Sequence, residues 1–188
     1  MIEFRLNDKE YKMPTCWEDI TLKMYINLSK LEEIKSTFSI EELYLMRVLE
    51  VLVDVNIGEL DEMSIDMMNS ISTNIKFMQE VPEWKFVERI NINNIDYIFP
   101  HDLNKLTMGE YISIKTMQTD KGDIDFIPYL LAIILRPGKK ILVENEERMI
   151  QEKFDVESME QRRELFLSHP VIELMGPVSF FLNGNIKS

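Results

Sequence analysis

The feature that most constrains the fold of this chain is an internal repeat. A shift of 86 positions places Leu6–Leu28 on Ile92–Ile114 without a gap. Six of the 23 aligned positions are identical: Asn7/Asn93, Tyr11/Tyr97, Pro14/Pro100, Thr21/Thr107, Tyr25/Tyr111 and Ile26/Ile112. In both copies two short stretches flank a polar turn, a proline ends the second stretch, and a threonine precedes an apolar run of helical period. We interpret this as tandem duplication, with chance resemblance of two ordinary hairpin–helix segments as the alternative.

Each copy is predicted to begin with a β-hairpin. Apolar and charged residues alternate along Ile2–Leu6, which is typical of a half-buried strand. The turn residues Asn7-Asp8-Lys9 follow, and Glu10–Met13 forms the return strand. In the second copy Asn93-Asn94 lies at the turn, because asparagine tolerates the positive φ that a tight hairpin needs. We therefore expect hairpins at about residues 2–13 and 86–99.

Several hydroxyl side chains mark predicted helix starts. Thr21 and Thr107 precede apolar residues at helical spacing, and Ser64 precedes another such run. These residues are expected to be N-caps, because a hydroxyl oxygen can accept a hydrogen bond from the first turn. Ser39, with Glu42 three residues later, has the spacing of a capping box.

The rest of the second half is predicted to be mainly helical. Phe126–Leu135 is a continuous apolar run and is expected to be a buried helix. The residues Asp120–Asp125 before it are expected to be a polar loop. The basic segment from Arg136 to Lys140 contains Pro-Gly and is interpreted as a turn. Glu144–Phe154 and Ser158–Leu167 are expected to be helices.

Together these patterns predict an α+β fold that is mostly α-helical. The two tandem hairpin-plus-helices repeats would pack as one unit. At 188 residues the chain is within the usual size of one domain. We therefore expect a single compact domain over residues 1–188, with repeat halves at 1–85 and 86–188.

The charge of the chain restricts its partners. The formal net charge is −12, which argues against a nucleic-acid backbone or an anionic membrane as the main partner. The longest apolar run, Ile124–Leu135, is interrupted by Asp125 and Pro128 and is shorter than the roughly 18 residues of a membrane span. With Cys16 as the single cysteine, an internal disulfide is excluded. The expected location is the cytoplasm.

The sequence contains no recognisable catalytic signature. Its six glycines are too far apart to form a phosphate-binding loop, and its two histidines leave little basis for a histidine-rich metal site. The segment that begins at Asp120 resembles a calcium loop, but position twelve is Leu131 instead of Glu. We predict a non-enzyme without a cofactor, a metal site or catalytic residues.

Three segments carry a resemblance to a known group of proteins. The first is the spaced pattern Pro14-x-x-Trp17-x-x-Ile20-Thr21-x-x-x-Tyr25, and the others are Pro128–Leu135 and Phe180-Phe181-Leu182. They resemble small morphogenesis proteins of tailed bacteriophages of Bacteroidetes, including crAss-like phages. The resemblance implies a virion component of the head–tail connection or tail, or a tail-assembly chaperone. Its partners would be phage structural proteins, with a symmetric oligomer as one arrangement, and its location the host cytoplasm during assembly or the virion.

If the protein acts through contacts, its aromatic residues are the candidate anchors, because such side chains dominate binding hot spots. The candidate interaction residues are Trp17, Tyr25, Tyr111, Phe180 and Phe181. Trp17 either covers an edge of the core or anchors a partner. Phe180 and Phe181 belong either to the core or to an interface tail. Two other function classes stay open: an acidic protein that binds and inhibits a host protein, and an enzyme with a cryptic carboxylate site.

Overall fold

The computed structural model of the protein describes residues 1–100, 102, 105–143 and 146–184. It shows an α+β protein that is mostly helical, as predicted. The chain divides into two compact units. Unit 1 comprises Met1–Glu83 with Pro170–Ile172, and unit 2 comprises Trp84–His169 with Glu173–Ser188. The single domain with repeat halves at 1–85 and 86–188 stays a prediction.

Unit 1 begins with an antiparallel hairpin of β1 (Ile2–Leu6) and β2 (Lys9–Met13). The turn residues Asn7 and Asp8 have φ values of 49° and 61°. Short polar side chains tolerate this left-handed region, which explains why the hairpin turns at this point. The last residues of the two strands, Leu6 and Met13, are buried and attach the hairpin to the core.

The helices of unit 1 are α1 (Leu22–Glu33), α2 (Glu41–Val53), α3 (Ile57–Leu60) and α4 (Ile65–Asn74). Helix α1 packs against α2, and α2 also contacts β2 and α3. Short 3₁₀ turns lie at Trp17–Asp19, Lys35–Thr37 and Lys76–Gln79. The core contains fully buried aliphatic residues from several elements, including Ile20, Leu22, Leu49, Leu52 and Leu60.

Two of the predicted caps of unit 1 are confirmed and one is wrong. Thr21 accepts a hydrogen bond from the Met24 N–H at 3.2 Å, and Ser64 caps α4 in the same way. The capping box at Ser39 does not form, because Ile40 has an extended backbone and α2 begins one residue later. Acidic residues in the first turn of α2 interact with the helix dipole instead.

Unit 2 contains a sheet of β3 (Arg89–Ile92), β4 (Ile95–Ile98), β5 (Arg136–Val143) and β6 (Glu146–Gln151). Among the described residues the strand order is β3-β4-β5-β6, and each neighbouring pair is antiparallel. The predicted turn at Asn93 and Asn94 is confirmed, with φ values of 53° and 63°.

The sequence predicts a turn and a helix where the structure has the β5–β6 hairpin, so both predictions were wrong. The segment from Arg136 to Lys140 is the start of a strand, not a turn, and most of Glu144–Phe154 is strand instead of helix. Residues such as Glu and Arg favour helices when exposed, but here pairing between β5 and β6 overrides this preference. A Cβ at Gly138 would lie 2.4 Å from Ile98 Cδ1, so a larger residue there would require the Ile98 side chain to move.

The helices of unit 2 are α5 (Met108–Lys121), α6 (Asp123–Ile134), α7 (Met159–Leu167) and α8 (Val171–Gly184). The predicted polar loop at Asp120–Asp125 is wrong, since Gly122, at φ 77°, alone separates α5 from α6. The predicted buried helix is confirmed as α6, which packs against both α5 and α7. None of the helices in the described part of the chain is long and apolar enough to cross a bilayer.

Helix α8 approaches the chain before β3 so closely that it requires a glycine. A Cβ on Gly176 would lie 1.9 Å from the carbonyl oxygen of Lys85. That is far inside van der Waals contact, and the obstacle is backbone, which cannot rotate away. Gly176 therefore allows α8 to pack against this segment of unit 2.

We expect Gly176→Ala to destabilise the protein by about 1–3 kcal/mol or more, because the methyl group forces the backbones apart. Urea unfolding measures the change. Gly109→Ala is the matched control in another helix of unit 2, since its Cβ would meet its nearest neighbours at 3.9 Å. That variant should be neutral or more stable by about 0.5–1 kcal/mol. Equal stability of the two variants would contradict the close approach of α8.

Candidate functional site

Trp17 and Tyr25 lie together in unit 1. Their ring centroids are 6.3 Å apart, and Trp17 also meets the Phe77 ring edge-to-face at 5.7 Å. The Trp17 indole N–H donates to the carbonyl oxygen of Glu80 at 2.8 Å. Both side chains are half-buried. Trp17 therefore covers the edge of the unit 1 core, and an additional role as a binding anchor stays a prediction.

Phe180 belongs to an aromatic cluster in unit 2. Its ring lies 4.6 Å from that of Phe86 and 5.6 Å from that of Phe99, measured between centroids. Phe180 is exposed on its other side, while Phe181 is half-buried. The cluster joins α8 to the chain on both sides of the β3–β4 hairpin, which is a structural role. Participation of the two phenylalanines in an interface stays a prediction.

Tyr111 lies on an open apolar face of α5. Its neighbours at helical spacing are Met108 and Ile112. Met108 is 70% exposed, Tyr111 52% and Ile112 55%. We call these three residues the α5 stripe. Positions i, i+3 and i+4 share one face of a helix, so the stripe is contiguous. The sequence prediction included Tyr111 but missed Met108 and Ile112, because the same periodicity also describes a buried face.

The corresponding residues of α1 are covered. The repeat offset pairs Met108 with Leu22 and Ile112 with Ile26, which are 0% and 4% exposed. Helix α1 is thus buried on this face, whereas α5 is buried on the opposite face, at Glu110 and Ile114. One sequence pattern therefore gives a covered face in unit 1 and an uncovered one in unit 2.

A buried ion pair fixes the inward face of α5. Glu110 Oε1 and Arg136 Nη2 are 2.6 Å apart, and the two residues are 2% and 8% exposed. Thr107 and Glu110 also form a capping box: the Thr107 N–H donates to Glu110 Oε2 at 2.6 Å, and the Glu110 N–H donates to Thr107 Oγ1. The predicted cap at Thr107 is confirmed, but the sequence did not indicate the pairing with Arg136.

Gln151 extends the ion pair into a network. Arg136 Nη2 donates to Gln151 Oε1 at 2.7 Å, and the Gln151 amide donates to the carbonyl oxygens of Ile98 and Ile134. Nearby, Arg162 Nε donates to the carbonyl oxygen of Ala132 at 2.8 Å, near the end of α6. Burial lowers the pKa of both guanidinium groups, yet arginine stays charged because its ordinary pKa is so high.

Two atoms of the ion pair lack a hydrogen bond. Arg136 Nε and Glu110 Oε1 are buried and have no hydrogen-bond partner. Glu110 Oε1 and Arg136 Nη2 are 2.6 Å apart, which is close enough for strong Coulomb attraction. The pair is therefore held mainly by charge.

A cleft of about 760 Å³ opens beside this ion pair in unit 2. Its walls come from the end of β4, the first turn of α5, the start of β5, and β6 with the three residues after it. The lining residues are Ile98, Phe99, Pro100, Asp102, Lys105, Leu106, Thr107, Gly109, Glu110, Arg136, Met149, Ile150, Gln151, Glu152, Lys153 and Phe154.

Reactive side chains elsewhere have structural partners. The Cys16 thiol contacts Asp19 Oδ2 at 3.4 Å, and burial raises its pKa, as do the neighbouring carboxylates. It is therefore a protonated, weak nucleophile. His169 Nε2 lies 3.0 Å from Glu173 Oε2, and His101 lies outside the described residues. Within the described ranges, no group of three or more His, Cys, Asp or Glu side chains could hold a metal ion.

Comparisons of the chain with protein-family models, with characterised proteins and with solved structures found no match.

We expect Glu110→Gln to destabilise the protein by about 3–5 kcal/mol, because it leaves the Arg136 charge buried without a counter-charge. Glutamine still accepts the capping bond, so the change isolates the charge. The double variant Glu110→Gln/Arg136→Met should lose much less than the sum of its single changes. A urea-unfolding double-mutant cycle measures this.

The control for this cycle is Glu147→Gln, which breaks an exposed pair with Lys140 at 3.2 Å. Exposed pairs contribute about 0–1 kcal/mol. If Glu110→Gln costs no more than Glu147→Gln, the buried pair does not hold α5 on the sheet.

Truncation after Gly176 distinguishes a core segment from an interface tail at the end of α8. It removes Val178, which is fully buried, and the Phe180 ring with its aromatic contacts. We expect loss of cooperative unfolding in unit 2, since such losses cost several kcal/mol. Circular dichroism during heating measures it. A truncated chain that folds normally but no longer joins its partner would identify an interface tail.

Proposed function

We propose that this chain is a non-enzymatic bacteriophage morphogenesis protein that acts through protein–protein contacts. It would serve as a virion component of the head–tail connection or tail, or as a chaperone that holds tail subunits before assembly. The α5 stripe carries the proposal: Met108, Tyr111 and Ile112 expose large apolar side chains on one helix face. Covering such a face with a partner removes apolar surface from water, which stabilises the complex.

The phage assignment rests on the resemblance of three sequence segments. One of them, Pro128–Leu135, is the buried helix α6 and its first following residue, so packing alone accounts for its apolar character. The segment from Pro14 to Tyr25 contains the 3₁₀ turn and the cap of α1. The choice between virion component and chaperone belongs to the same proposal.

We also propose that the two hairpin–helix segments arose by tandem duplication. Their hairpins share one register, since Leu6 pairs with Lys9 as Ile92 pairs with Ile95. Both turns have two consecutive residues with positive φ, and both hairpins lead to a helix capped by threonine. Duplication gives a simple origin for a helix face that is covered in one copy and free for a partner in the other.

The alternative of an enzyme with a cryptic carboxylate would require Glu110, the buried carboxylate, as its reactive group. Its two oxygens already contact the Thr107 N–H and Arg136. Both oxygens are therefore already engaged in holding the first turn of α5 against the start of β5. The alternative of a host-protein inhibitor would use the same α5 stripe with a different partner.

We expect Ile112→Glu to leave the fold intact but abolish association with the natural partner, because it places a charge on the exposed stripe. The matched variant Ile26→Glu changes the corresponding buried residue and should destabilise the protein by about 4 kcal/mol or more. Affinity purification of the tagged chain from the cells that make it, with mass spectrometry, measures association. Thermal unfolding measures the fold.

The proteins recovered with the tagged chain distinguish an assembly role from the inhibitor alternative. Recovery of phage structural proteins by the parent chain but not by Ile112→Glu supports an assembly role, and presence in purified particles identifies a virion component. Selective recovery of host proteins supports the inhibitor alternative. Undiminished recovery by Ile112→Glu would show that the α5 stripe is not the contact surface.

A further inference from the structure

The cleft of unit 2 has the size of a small-molecule site, and none of the residues of the α5 stripe lines it. Its floor is one face of the sheet, because Ile98, Arg136, Met149 and Gln151 lie at positions that alternate to the same side. The first turn of α5 and Glu152–Phe154 form its walls. Its volume of about 760 Å³ is within the range of roughly 300–1,000 Å³ for ligand pockets.

The walls of the cleft are largely apolar. Apolar side chains from four segments of the chain line the cleft: Ile98, Phe99, Pro100, Leu106, Met149, Ile150 and Phe154. Two aromatic rings and a thioether among them favour flat or aromatic groups, which gain contact area without losing much conformational freedom.

The charged residues of the cleft cancel one another. Three cationic side chains, Lys105, Arg136 and Lys153, line it together with three acidic ones, Asp102, Glu110 and Glu152. At the floor Glu110 and Arg136 are directly paired at 2.6 Å. At the floor a charged ligand of either sign would meet a like charge, the Glu110 carboxylate for an anion and the Arg136 guanidinium for a cation. The cleft therefore favours a neutral ligand.

Gly109 leaves part of the wall as bare backbone. A Cβ at this position would lie 3.9 Å from Phe154 Cδ1 and from Thr107 Oγ1, and its φ is not positive. Neither close packing nor backbone conformation therefore requires a glycine at this position. A glycine within a helix also lowers its stability relative to alanine. The missing side chain leaves space between residues that line the cleft, as close approach of a ligand would need.

We propose that this cleft binds a neutral, largely apolar small molecule with an aromatic or similarly flat group. The ligand would lie over the sheet face, against Phe154 and the backbone of Gly109. The ion pair beneath it would stay intact. This site does not depend on the α5 stripe, so either could exist without the other.

The test uses the full-length protein and N-phenyl-1-naphthylamine, a neutral aromatic probe whose fluorescence increases in apolar surroundings. We expect saturable binding at one site, weakened at least about tenfold by Gly109→Phe, which fills the cleft. Gly109→Ala, which adds a single methyl group to the same wall, should weaken binding by less than Gly109→Phe does. Asn69→Phe, which adds the same ring at an exposed position of α4, should leave affinity unchanged.

Several results would overturn the proposal. They are the absence of saturable binding, equal affinity for Gly109→Phe and the parent protein, and tighter binding of the anionic analogue 8-anilinonaphthalene-1-sulfonate. Loss of binding in Ile112→Glu would place the probe on the α5 stripe and would also contradict the proposal.

A direct measurement covers the case in which Gly109→Phe does not fold. In the parent protein, the probe should shift the methyl NMR signals of Ile98, Leu106 and Met149, which line the cleft. The signals of Leu22 and Ile26, buried in unit 1, should not move. The reverse pattern would rule out the cleft.

Discussion

The arrangement of unit 2 depends on the buried contact between Glu110 and Arg136. It joins the first turn of α5 to the start of β5, and Gln151 connects the same guanidinium to β6 and to backbone oxygens of Ile98 and Ile134. A lone buried charge is strongly unfavourable, so neither partner can turn outward without the other. The rotation of α5 about its axis is therefore set by the ion pair together with the buried Ile114.

This contact explains why two segments of similar sequence present different surfaces. At the position of Glu110 the first copy has Met24, which needs no counter-charge, and α1 buries Leu22 and Ile26. In the second copy Glu110 and Ile114 face inward, and the matching apolar residues face solvent. The hairpin and the helix cap, which depend on local chemistry, are alike in the two segments.

Features that depend on neighbouring residues could be predicted from the sequence, whereas features that depend on distant residues could not. The turns at Asn7 and Asn93 and the caps at Thr21 and Thr107 follow from residues within a few positions. The β5–β6 hairpin was missed because its strand pairing outweighs the helix preference of its residues. The sequence predicts a basic turn at Arg136 because Pro137 and Gly138 follow it. Its partner Glu110 is 26 positions away, and nothing local indicates the pairing. The α5 stripe was recognised only at Tyr111, because helical periodicity does not tell a covered face from an open one.

Residues in the first turn of α5 contribute to the core, to the α5 stripe and to the cleft. Successive residues of a helix point about 100° apart, so Glu110 enters the core while Met108 and Tyr111 face solvent. Between them Gly109 borders the cleft. Variants of Glu110 or Arg136 would therefore disturb the stripe and the cleft together, by releasing the helix that positions both. Only changes at the exposed positions, such as Ile112 and Gly109, can separate the two surfaces, because they leave the ion pair in place.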